Sequence, residues 1–280
     1  MTFTHELQPV RLLVFVSLVS YKINAMNKDE RARLLESSIL LASHSDNVHA
    51  HLREIVDSSF LEPESVLVAM ALETYRDLMY RAQQRMVERA IQRQIVESVY
   101  LDLISYLGTD DFLIQSNLYL RASRPRCPSE TENIGWHRES FYGPNLTKSV
   151  NIWTPIKGVT VDNSLRYIPA SHLIDDSEIR TKNIGEGSTK RFSVGHKLGF
   201  NYDPKIIIAG VDLESSEVIQ VSEGESALFS GNLIHGAAVN RSDEIRFSCD
   251  FQVIRRCDYS EANKSFHFSS GKPYFEDFHS

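Results

Sequence analysis

The spacing of apolar residues changes once along the chain, near residue 110. From Pro63 to Gly108 apolar residues recur every three or four positions with no proline in between, which predicts helices that end at the glycine. After Gly108 the period shortens to two, and short segments rich in β-branched and aromatic residues predict strands. The strand segments are FLIQSNLYL, SVNIWTPI, LRYIP, KIIIAG, EVIQV, SALFS and IRFSCDFQVI.

These two parts together indicate an α+β fold in which N-terminal helices pack against a β-sandwich or a jelly roll. We expect one domain over residues 1–280, with a mainly helical region at 1–110, a β core at 111–256 and a tail at 257–280. The apolar stripe of the predicted helices is interpreted as packing surface and not as a cofactor site. Its members are Leu67, Met70, Tyr75, Leu78, Met79, Met86, Ile91, Ile95, Val99 and Leu103.

Two further helices are expected before Pro63. Asn27 and Glu30 form a plausible capping pair for a helix that runs through Leu40. Asp46 is the expected cap of the second helix. The apolar face of that helix would consist of Val48, Leu52, Ile55 and Val56.

The apolar segment RLLVFVSLVS, residues 11–20, is too short to cross a bilayer as a helix. Glu6 precedes it and Arg11 alone supplies positive charge, which argues against a secretory signal. We therefore expect a buried strand or helix here. The alternatives are a signal peptide, or a first 25 residues that precede the native start.

Composition argues against several functional classes. An apolar content of 42% and a charged content of 24% are typical of a soluble globular protein. The net charge of -7 provides no broad attraction to polyanions, so nucleic acid and anionic membranes are not expected partners. Cys127, Cys249 and Cys257 are too few and too scattered for a disulfide framework, which favours a reducing, cytoplasmic location.

The stretch GWHRES places His137 and Glu139 two residues apart. Such a pair is either half of a metal site or an ordinary charge pair on a strand, and the tripeptide alone leaves both interpretations open. In a jelly roll a third ligand would come from a distant strand, and His235, after a glycine-containing turn, is the candidate.

The other histidines are assigned to non-catalytic positions. His172 is interpreted as a buried, hydrogen-bonding residue and His196 as part of a polar loop. Surface or capping positions are expected for His5, His44, His49, His51, His267 and His279.

Two imidazoles and one carboxylate are the ligand set of non-haem Fe(II) oxygenases, because they leave positions open for an oxo-acid and O₂. The oxo-acid also needs a cation for its distal carboxylate. Arg246 lies eleven residues after His235, and its guanidinium can bind a carboxylate through two hydrogen bonds. Ser248 points to the same face of the predicted strand.

Four ordered blocks of the chain carry a family resemblance. They are GWHRES, NIWTPIKGVTVDNSLRYIPASH, GESALFSGNLIHGAAVN and EIRFS. In this order, over residues 112–254, the blocks resemble the phytanoyl-CoA dioxygenase-like branch of the Fe(II)/2-oxoglutarate-dependent oxygenases.

The resemblance implies a double-stranded β-helix in which His137, Glu139 and His235 bind Fe(II), and Arg246 with Ser248 binds 2-oxoglutarate. It further implies a dioxygenase that uses O₂ to hydroxylate or desaturate an unactivated C–H bond of a small-molecule substrate, with release of succinate and CO₂.

Two residues depart from the family pattern. Glu139 stands where aspartate is usual, and Ala170 stands where glycine is usual. Related halogenases have a small residue at the carboxylate position, so Glu139 argues for hydroxylation or desaturation. Residues 1–110 carry no matching motif, and the substrate is therefore not predicted.

Two other functions are weighed against this one. A JmjC-like protein hydroxylase shares the His-x-acid and distal His pattern, but it usually binds the oxo-acid through lysine, and Arg246 with Ser248 argues against it. The non-enzymatic alternative is a cupin-like binding protein with an inactive metal site. Release of succinate separates that protein from an oxygenase.

Several residues near the predicted site carry weaker expectations. Asn117, Tyr119, Asn151 and Trp153 are expected on strands that flank the metal motif, facing either the barrel interior or the packing side. The segment 175–203 is long enough to form a lid.

Two further segments have open roles. Lys190, Arg191 and Lys197 either meet an anionic substrate or lie in a solvated loop. The aromatic tail SFHFSSGKPYFEDFHS either covers the pocket or mediates self-association.

Overall fold

The structure, a computed structural model, describes residues 39–126, 134–183, 189–200, 205–267 and 270–279. The apolar segment 11–20, the capping pair Asn27 and Glu30, and Cys127 lie outside the described residues. Among the described helices, none combines the length and the apolar character that a membrane crossing requires.

The described part of the helical region, residues 39–110, contains five helices. They are α1 (Asp46–Ser59), α2 (Glu64–Ala69), α3 (Leu72–Glu88), α4 (Ile91–Ser98) and α5 (Tyr100–Leu107). The predicted apolar face of α1 is its buried face, although the residue at the N-cap position is Ser45 and not Asp46. Gly108 ends α5 with a φ of 73°, a left-handed conformation that glycine adopts without steric cost, as the sequence predicts.

The described strands and the short helix between them follow in chain order. They are β1 (Ile39–Ser43), β2 (Phe112–Gln115), β3 (Tyr119–Ser123), β4 (Val150–Lys157), β5 (Leu165–Tyr167), β6 (Arg180–Asn183), α6 (Val194–Lys197), β7 (Lys205–Ala209), β8 (Glu217–Val218), β9 (Glu225–Ser230), β10 (His235–Ala237), β11 (Arg246–Arg255) and β12 (Phe275–Asp277).

The strands form two facing layers and a ribbon. The larger sheet has the order β1-β9-β4-β11-β2-β12, and β3 pairs with the first half of β11. The smaller sheet has the order β10-β5-β8, and β6 pairs with β7. The pairings between these strands are antiparallel. This arrangement confirms the predicted α+β fold with a double-stranded β-helix core and packed N-terminal helices.

Two predicted boundaries are wrong. Ile39 and Leu40 belong to β1 and not to a helix, because β1 pairs with β9 and completes the edge of the larger sheet. The segment FLIQSNLYL forms two strands and not one, since residues 116–118 leave the sheet between β2 and β3. Both pair with β11, which is long enough to serve each strand in turn.

One apolar core joins the helices to the larger sheet. Eight of the ten predicted stripe residues are buried in it, and Met70 and Leu78 pack against it partly buried. Strand β11 contributes Phe247, Cys249 and Phe251 to this core. Successive side chains of a strand point to opposite faces, so the alternating residues of β11 face the barrel interior.

The interior face of β11 is polar. It carries Arg246, Ser248, Asp250 and Gln252, and these four side chains lie opposite the interior residues of β3 and β4. Ser248 is opposite Arg121. The longest strand thus has an apolar face that binds the helices and a polar face that lines the barrel.

Ala170 has a φ of 58°, in the left-handed region that favours glycine. It precedes the 3₁₀ turn Ser171–Leu173, whose geometry requires this conformation. The departure from glycine noted in the sequence therefore falls at a strained backbone position.

We predict that Ala170→Gly raises the free energy of unfolding by about 1 kcal/mol, because it relieves a left-handed alanine that costs roughly 1–2 kcal/mol. Urea denaturation measures the change. The control is Ala50→Gly in the exposed middle of α1, which should lower stability by about 1 kcal/mol. If Ala170→Gly lowered the free energy of unfolding, the inference that Ala170 is strained would be wrong.

Candidate active site

Backbone hydrogen bonds bring two of the predicted ligands together. His137 and His235 face each other across an antiparallel bridge. The amide of each histidine donates to the carbonyl of the other, at 3.0 and 2.9 Å. Their ring centroids lie 4.3 Å apart. Two residues far apart in sequence are therefore held side by side by the main chain.

The second nitrogen of each ring sets its orientation. Nδ1 of His137 lies 2.7 Å from the carbonyl oxygen of Gly135, and Nδ1 of His235 lies 2.9 Å from that of Leu233. A carbonyl oxygen only accepts, so each Nδ1 carries a proton, and in the neutral form of either ring Nε2 is then the atom with the lone pair. This is the arrangement of a metal-binding histidine.

Glu139 supplies a carboxylate between the two rings. Its amide donates to the carbonyl of Gly231 at 2.7 Å, which fixes the backbone next to the turn before β10. Its Oε1 lies 3.8 Å from Nε2 of His137 and 3.8 Å from Nε2 of His235. The three ligand atoms lie within 4.8 Å of one another, and Asn151 Nδ2 donates to Oε1 at 3.3 Å.

The electrostatics of the site suit a cation. Burial alone would raise the pKa of Glu139, but the neighbouring imidazoles and the Asn151 amide outweigh it and the pKa is lowered. Burial, with His137 nearby, lowers the pKa of His235 to about 4. At neutral pH the site presents a carboxylate and a neutral His235, and both are in the protonation state that metal binding requires. The donor set therefore fits iron.

The strand that carries His235 is held by the segment IPASH. Ile168 donates its amide to the carbonyl of Ile234 at 2.9 Å, and Ser171 Oγ accepts the amide of Ile234 at 2.8 Å. Arg138, between the two ligands of GWHRES, is buried and donates to the carbonyl of Ile174 at 2.9 Å. The first block, GWHRES, and the second, which ends in IPASH, thus hold the third block, which carries His235, in place.

Arg246 and Ser248 lie on the interior face of β11, as the sequence predicts. Arg246 is fully buried, and its Nη1 donates to the carbonyl of Asn163 at 2.7 Å. Burial, with Arg121 close by, lowers the pKa of Arg246 to about 10, so the guanidinium remains charged at neutral pH. Ser248 Oγ is buried and has no hydrogen-bond partner among the described residues.

An ion pair in the cavity was not predicted from the sequence. Arg121 donates from Nε and Nη2 to the two carboxylate oxygens of Asp250, at 2.7 and 3.2 Å. With Arg246 the barrel interior thus holds two guanidiniums and one carboxylate near each other. The alternation of polar and apolar residues in RFSCDFQ could have predicted Asp250 as an interior residue, because it continues the face that begins at Arg246 and Ser248.

The three ligand candidates line one cavity of about 620 Å³. Arg246, Asp250 and Gln252 line it too. Of the four flanking residues singled out in the sequence, Tyr119, Asn151 and Trp153 also line the cavity. Asn117 does not belong to the lining residues.

Several of the remaining histidines lie in positions that differ from the predicted ones. His267 is buried and lines the cavity, so its assignment to the surface is wrong, because the tail folds back over the barrel. His44 is half-buried beside Ser226 and is not a surface residue, while His172 is half-buried and not fully buried. His196 lines the cavity from α6.

The described part of segment 175–203 contains β6 and α6. Residues 184–188 and 201–203 lie outside the described residues. Lys197 lines the cavity. Lys190 and Arg191 are exposed and are not among the lining residues. The aromatic tail covers one side of the cavity with Ser265, Phe266, His267, Tyr274 and Phe275.

The family model described as phytanoyl-CoA dioxygenase (PhyH) matches residues 42–248. The chain belongs to this family, and the resemblance seen in the sequence is confirmed. It is an iron- and 2-oxoglutarate-dependent dioxygenase.

Solved structures show the same fold. EvdO2 from Micromonospora carbonacea var. aurantiaca is 14% identical with a TM-score of 0.50, and the alignment covers 85% of this chain and 96% of that one. EvdO2 complexed with 2-oxoglutarate aligns with the same identity and coverage and a TM-score of 0.51. No curated protein sequence matches the chain.

We predict that Asn151→Ala weakens binding of Co(II), a spectroscopic substitute for Fe(II), by about 10- to 100-fold, because groups that orient a ligand contribute on that order to metal affinity. The amide that holds Glu139 Oε1 is lost while all three ligands remain. Titration followed by Co(II) absorption measures the affinity. Asn117→Ala is the matched control and should bind Co(II) as the unmodified protein does.

Proposed function

We propose that His137, Glu139 and His235 bind Fe(II) in this protein. The observation that carries the proposal is the convergence of two Nε2 lone pairs and one carboxylate oxygen on one wall of a buried cavity. Both Nδ1 protons are engaged by carbonyl oxygens, so neither ring needs to reorient. Two histidines and one carboxylate leave the remaining coordination positions open toward the cavity.

We propose that Arg246 and Ser248 bind the distal carboxylate of 2-oxoglutarate. The buried guanidinium offers charge-assisted hydrogen bonds, and Ser248 Oγ, on the same face of β11, offers a hydroxyl that forms no other hydrogen bond among the described residues. Arg121 and Arg246 lie beside the single carboxylate of Asp250, while the other carboxylate of the lining, Glu139, belongs to the proposed metal site. The guanidinium charge in this part of the barrel favours a dicarboxylate there.

The reaction we propose is hydroxylation of an unactivated C–H bond of a small molecule, with desaturation as the alternative outcome. When bound, iron with 2-oxoglutarate and O₂ supplies the oxidising power, with release of succinate and CO₂. Glu139 keeps the carboxylate that a halogenase lacks. A cavity of about 620 Å³ lies in the range of small-molecule sites. The protein's own task is to place the substrate carbon and exclude water.

One observation and one experiment separate this function from its rivals. A JmjC-like hydroxylase is disfavoured because Arg246, and not a lysine, occupies the interior position on β11. A binding protein with an inactive site would hold metal without turnover. The test is a screen of small molecules for stimulated succinate release in the presence of Fe(II), 2-oxoglutarate and ascorbate. If 2-oxoglutarate were not turned over at all, with or without a substrate, the binding protein would be the remaining interpretation.

We also propose one oxygenase domain and a cytoplasmic location. The helices and the larger sheet share one apolar core, which supports a single cooperative unit. Cys249 is a buried free thiol and Cys257 an exposed one, as a reducing compartment permits.

Removal of a histidine ligand should abolish iron binding. We expect the purified protein to bind one Fe(II) per chain and His137→Ala or His235→Ala to bind none, as measured by metal analysis after gel filtration. His172→Ala, at a half-buried histidine outside the cavity lining, is the control. Stoichiometric iron in both ligand variants would exclude this site.

The length of the carboxylate ligand matters less than its presence. Glu139→Asp should retain measurable 2-oxoglutarate turnover because the charge and the oxygen donors survive, whereas Glu139→Ala should lose hydroxylation. Succinate and product are quantified together. Equal product formation by the alanine variant would show that Glu139 is not a ligand.

Replacement of Arg246 should affect 2-oxoglutarate binding, whereas replacement of a metal ligand should affect iron binding. Arg246→Gln removes a charge-assisted contact of about 1.5–3 kcal/mol, so the affinity for 2-oxoglutarate should drop roughly 10- to 150-fold with iron binding retained. Iron content, 2-oxoglutarate affinity and melting temperature are measured on one preparation. Arg166→Gln, which removes a half-buried arginine outside the cavity lining, is the matched control. Normal 2-oxoglutarate affinity in folded, iron-loaded Arg246→Gln would refute the assignment.

A further inference from the structure

The chain returns to the cavity after β11 as a small hairpin. Phe266 and Pro273 form an antiparallel bridge. The amide of His267 donates to the carbonyl of Lys272 at 2.9 Å, and the amide of Tyr274 donates to that of Ser265 at 2.8 Å. We call the described residues 265–267 and 270–274 the C-terminal hairpin; residues 268–269 lie outside the described residues.

Both ends of the C-terminal hairpin are anchored to the barrel. Before it, Asn145 Nδ2 donates to the carbonyls of Ser260 and Asn263 at 3.0 and 3.1 Å. At its second strand, Ser116 Oγ donates to the carbonyl of Pro273 at 2.6 Å, and β12, which follows the hairpin, pairs with β2. A segment fixed at both ends is a built wall of the cavity.

The cavity face of the C-terminal hairpin is aromatic and polar. It presents Ser265, Phe266, His267 and Tyr274, and none of them is a carboxylate, a lysine or an arginine. The family match ends at residue 248, so this wall lies beyond the part of the chain that the family model describes. The wall therefore lies outside the matched segment and is a candidate region for substrate selection.

Tyr274 connects this wall to the polar interior of the barrel. Its hydroxyl donates to Gln252 Oε1 at 3.0 Å. Gln252 lies opposite Asn151, the residue whose amide holds Glu139. Burial, followed by the nearby Tyr119 and Glu139, raises the pKa of Tyr274 well above its ordinary value, so the hydroxyl stays neutral. Its oxygen retains capacity to accept a hydrogen bond from a ligand.

His267 adds a second neutral group next to Tyr274. The two rings are stacked, with centroids 4.6 Å apart and planes inclined by 20°. His267 is 8% exposed, and its Nε2 is buried without a hydrogen-bond partner among the described residues. Burial lowers the pKa of His267 to about 4. A buried, unsatisfied nitrogen is costly, and a polar atom of a bound molecule would remove that cost.

We propose that the C-terminal hairpin forms a substrate subsite for an uncharged, ring-bearing molecule, and that Tyr274 and His267 hold a hydroxyl group of that molecule. Aromatic rings elsewhere in the cavity, those of Tyr142, Phe200 and Phe229, provide apolar faces for the ring system. The inference rests on the proposed function in taking this cavity as the substrate site.

An anionic substrate is the competing interpretation, because Lys197 and Lys205 also line the cavity. The Lys197 ammonium lies 5.1 Å from the centre of the Tyr80 ring, in a cation–π contact on the side of α3. Lys205 is exposed. The buried polar groups that would contact a ligand at the hairpin are neutral, which favours a neutral ligand there.

The test measures binding and not turnover. The protein is loaded with Zn(II) and 2-oxoglutarate, which together do not oxidise substrate, and is probed by saturation-transfer NMR. The probes are matched sets of a cyclic alcohol, its deoxygenated counterpart and the corresponding carboxylate. Each set is applied to the unmodified protein and to Tyr274→Phe and His267→Phe, which keep an aromatic ring at each position and remove its hydrogen-bonding atoms. The controls are Tyr259→Phe and His279→Phe, which alter C-terminal residues outside the cavity lining.

The unmodified protein should bind the alcohol in preference to the other members of each set. Each hairpin variant should lower that affinity about 3- to 10-fold, the effect of one neutral hydrogen bond, with the controls unchanged. No fragment binding, preferential carboxylate binding, or an alcohol affinity in both hairpin variants equal to that of the unmodified protein would overturn the subsite. If the protein retained neither Zn(II) nor 2-oxoglutarate, the proposed function would be contradicted. The same fragments applied to the metal-free protein would still test the subsite at the hairpin.

Discussion

The reciprocal backbone hydrogen bonds between His137 and His235 are the constraint on which the site depends. They join the segment GWHRES to β10, and without them the two rings would sit on separate layers of the barrel. The bridge also places Glu139 next to Gly231, so its carboxylate falls between the rings. Because main-chain groups make these bonds, the side chains remain available to a metal.

The long strand β11 couples fold stability to cofactor chemistry. Its apolar face lies in the core that the helices share, and its polar face carries Arg246, Ser248 and Asp250 into the barrel. A guanidinium buried in this way is costly unless charge and hydrogen bonds compensate it. Three groups would compensate the buried charge of Arg246: the Asp250 carboxylate, the Asn163 carbonyl and the proposed 2-oxoglutarate carboxylate.

A row of polar side chains connects the candidate metal site to the C-terminal hairpin. Asn151 holds Glu139, and the interior face continues through Gln252 to Tyr274. The row thus joins the candidate metal ligands to a wall that lies beyond the family match. This connection gives a physical reason for the proposed recognition of the substrate at the C-terminal hairpin.

Local pattern in the sequence was sufficient for much of the fold. The period change near residue 110 predicted the helices and the β core, and Gly108 was the predicted helix end. Ile39 and Leu40 were assigned to a helix because a short apolar run fits either periodicity, and only pairing with β9 makes it a strand. The break inside FLIQSNLYL likewise arises from the register of β11, which no local pattern records.

The sequence by itself determined the site's chemical components: His137, Glu139, His235, Arg246 and Ser248 were singled out by residue type, spacing and family resemblance. Tertiary structure decided which other residues join them. Asp250 meets Arg121 through strand pairing, and His267 reaches the cavity because the tail folds back and pairs with β2. Contacts between residues distant in sequence depend on strand register and chain reversal, and a linear pattern carries neither.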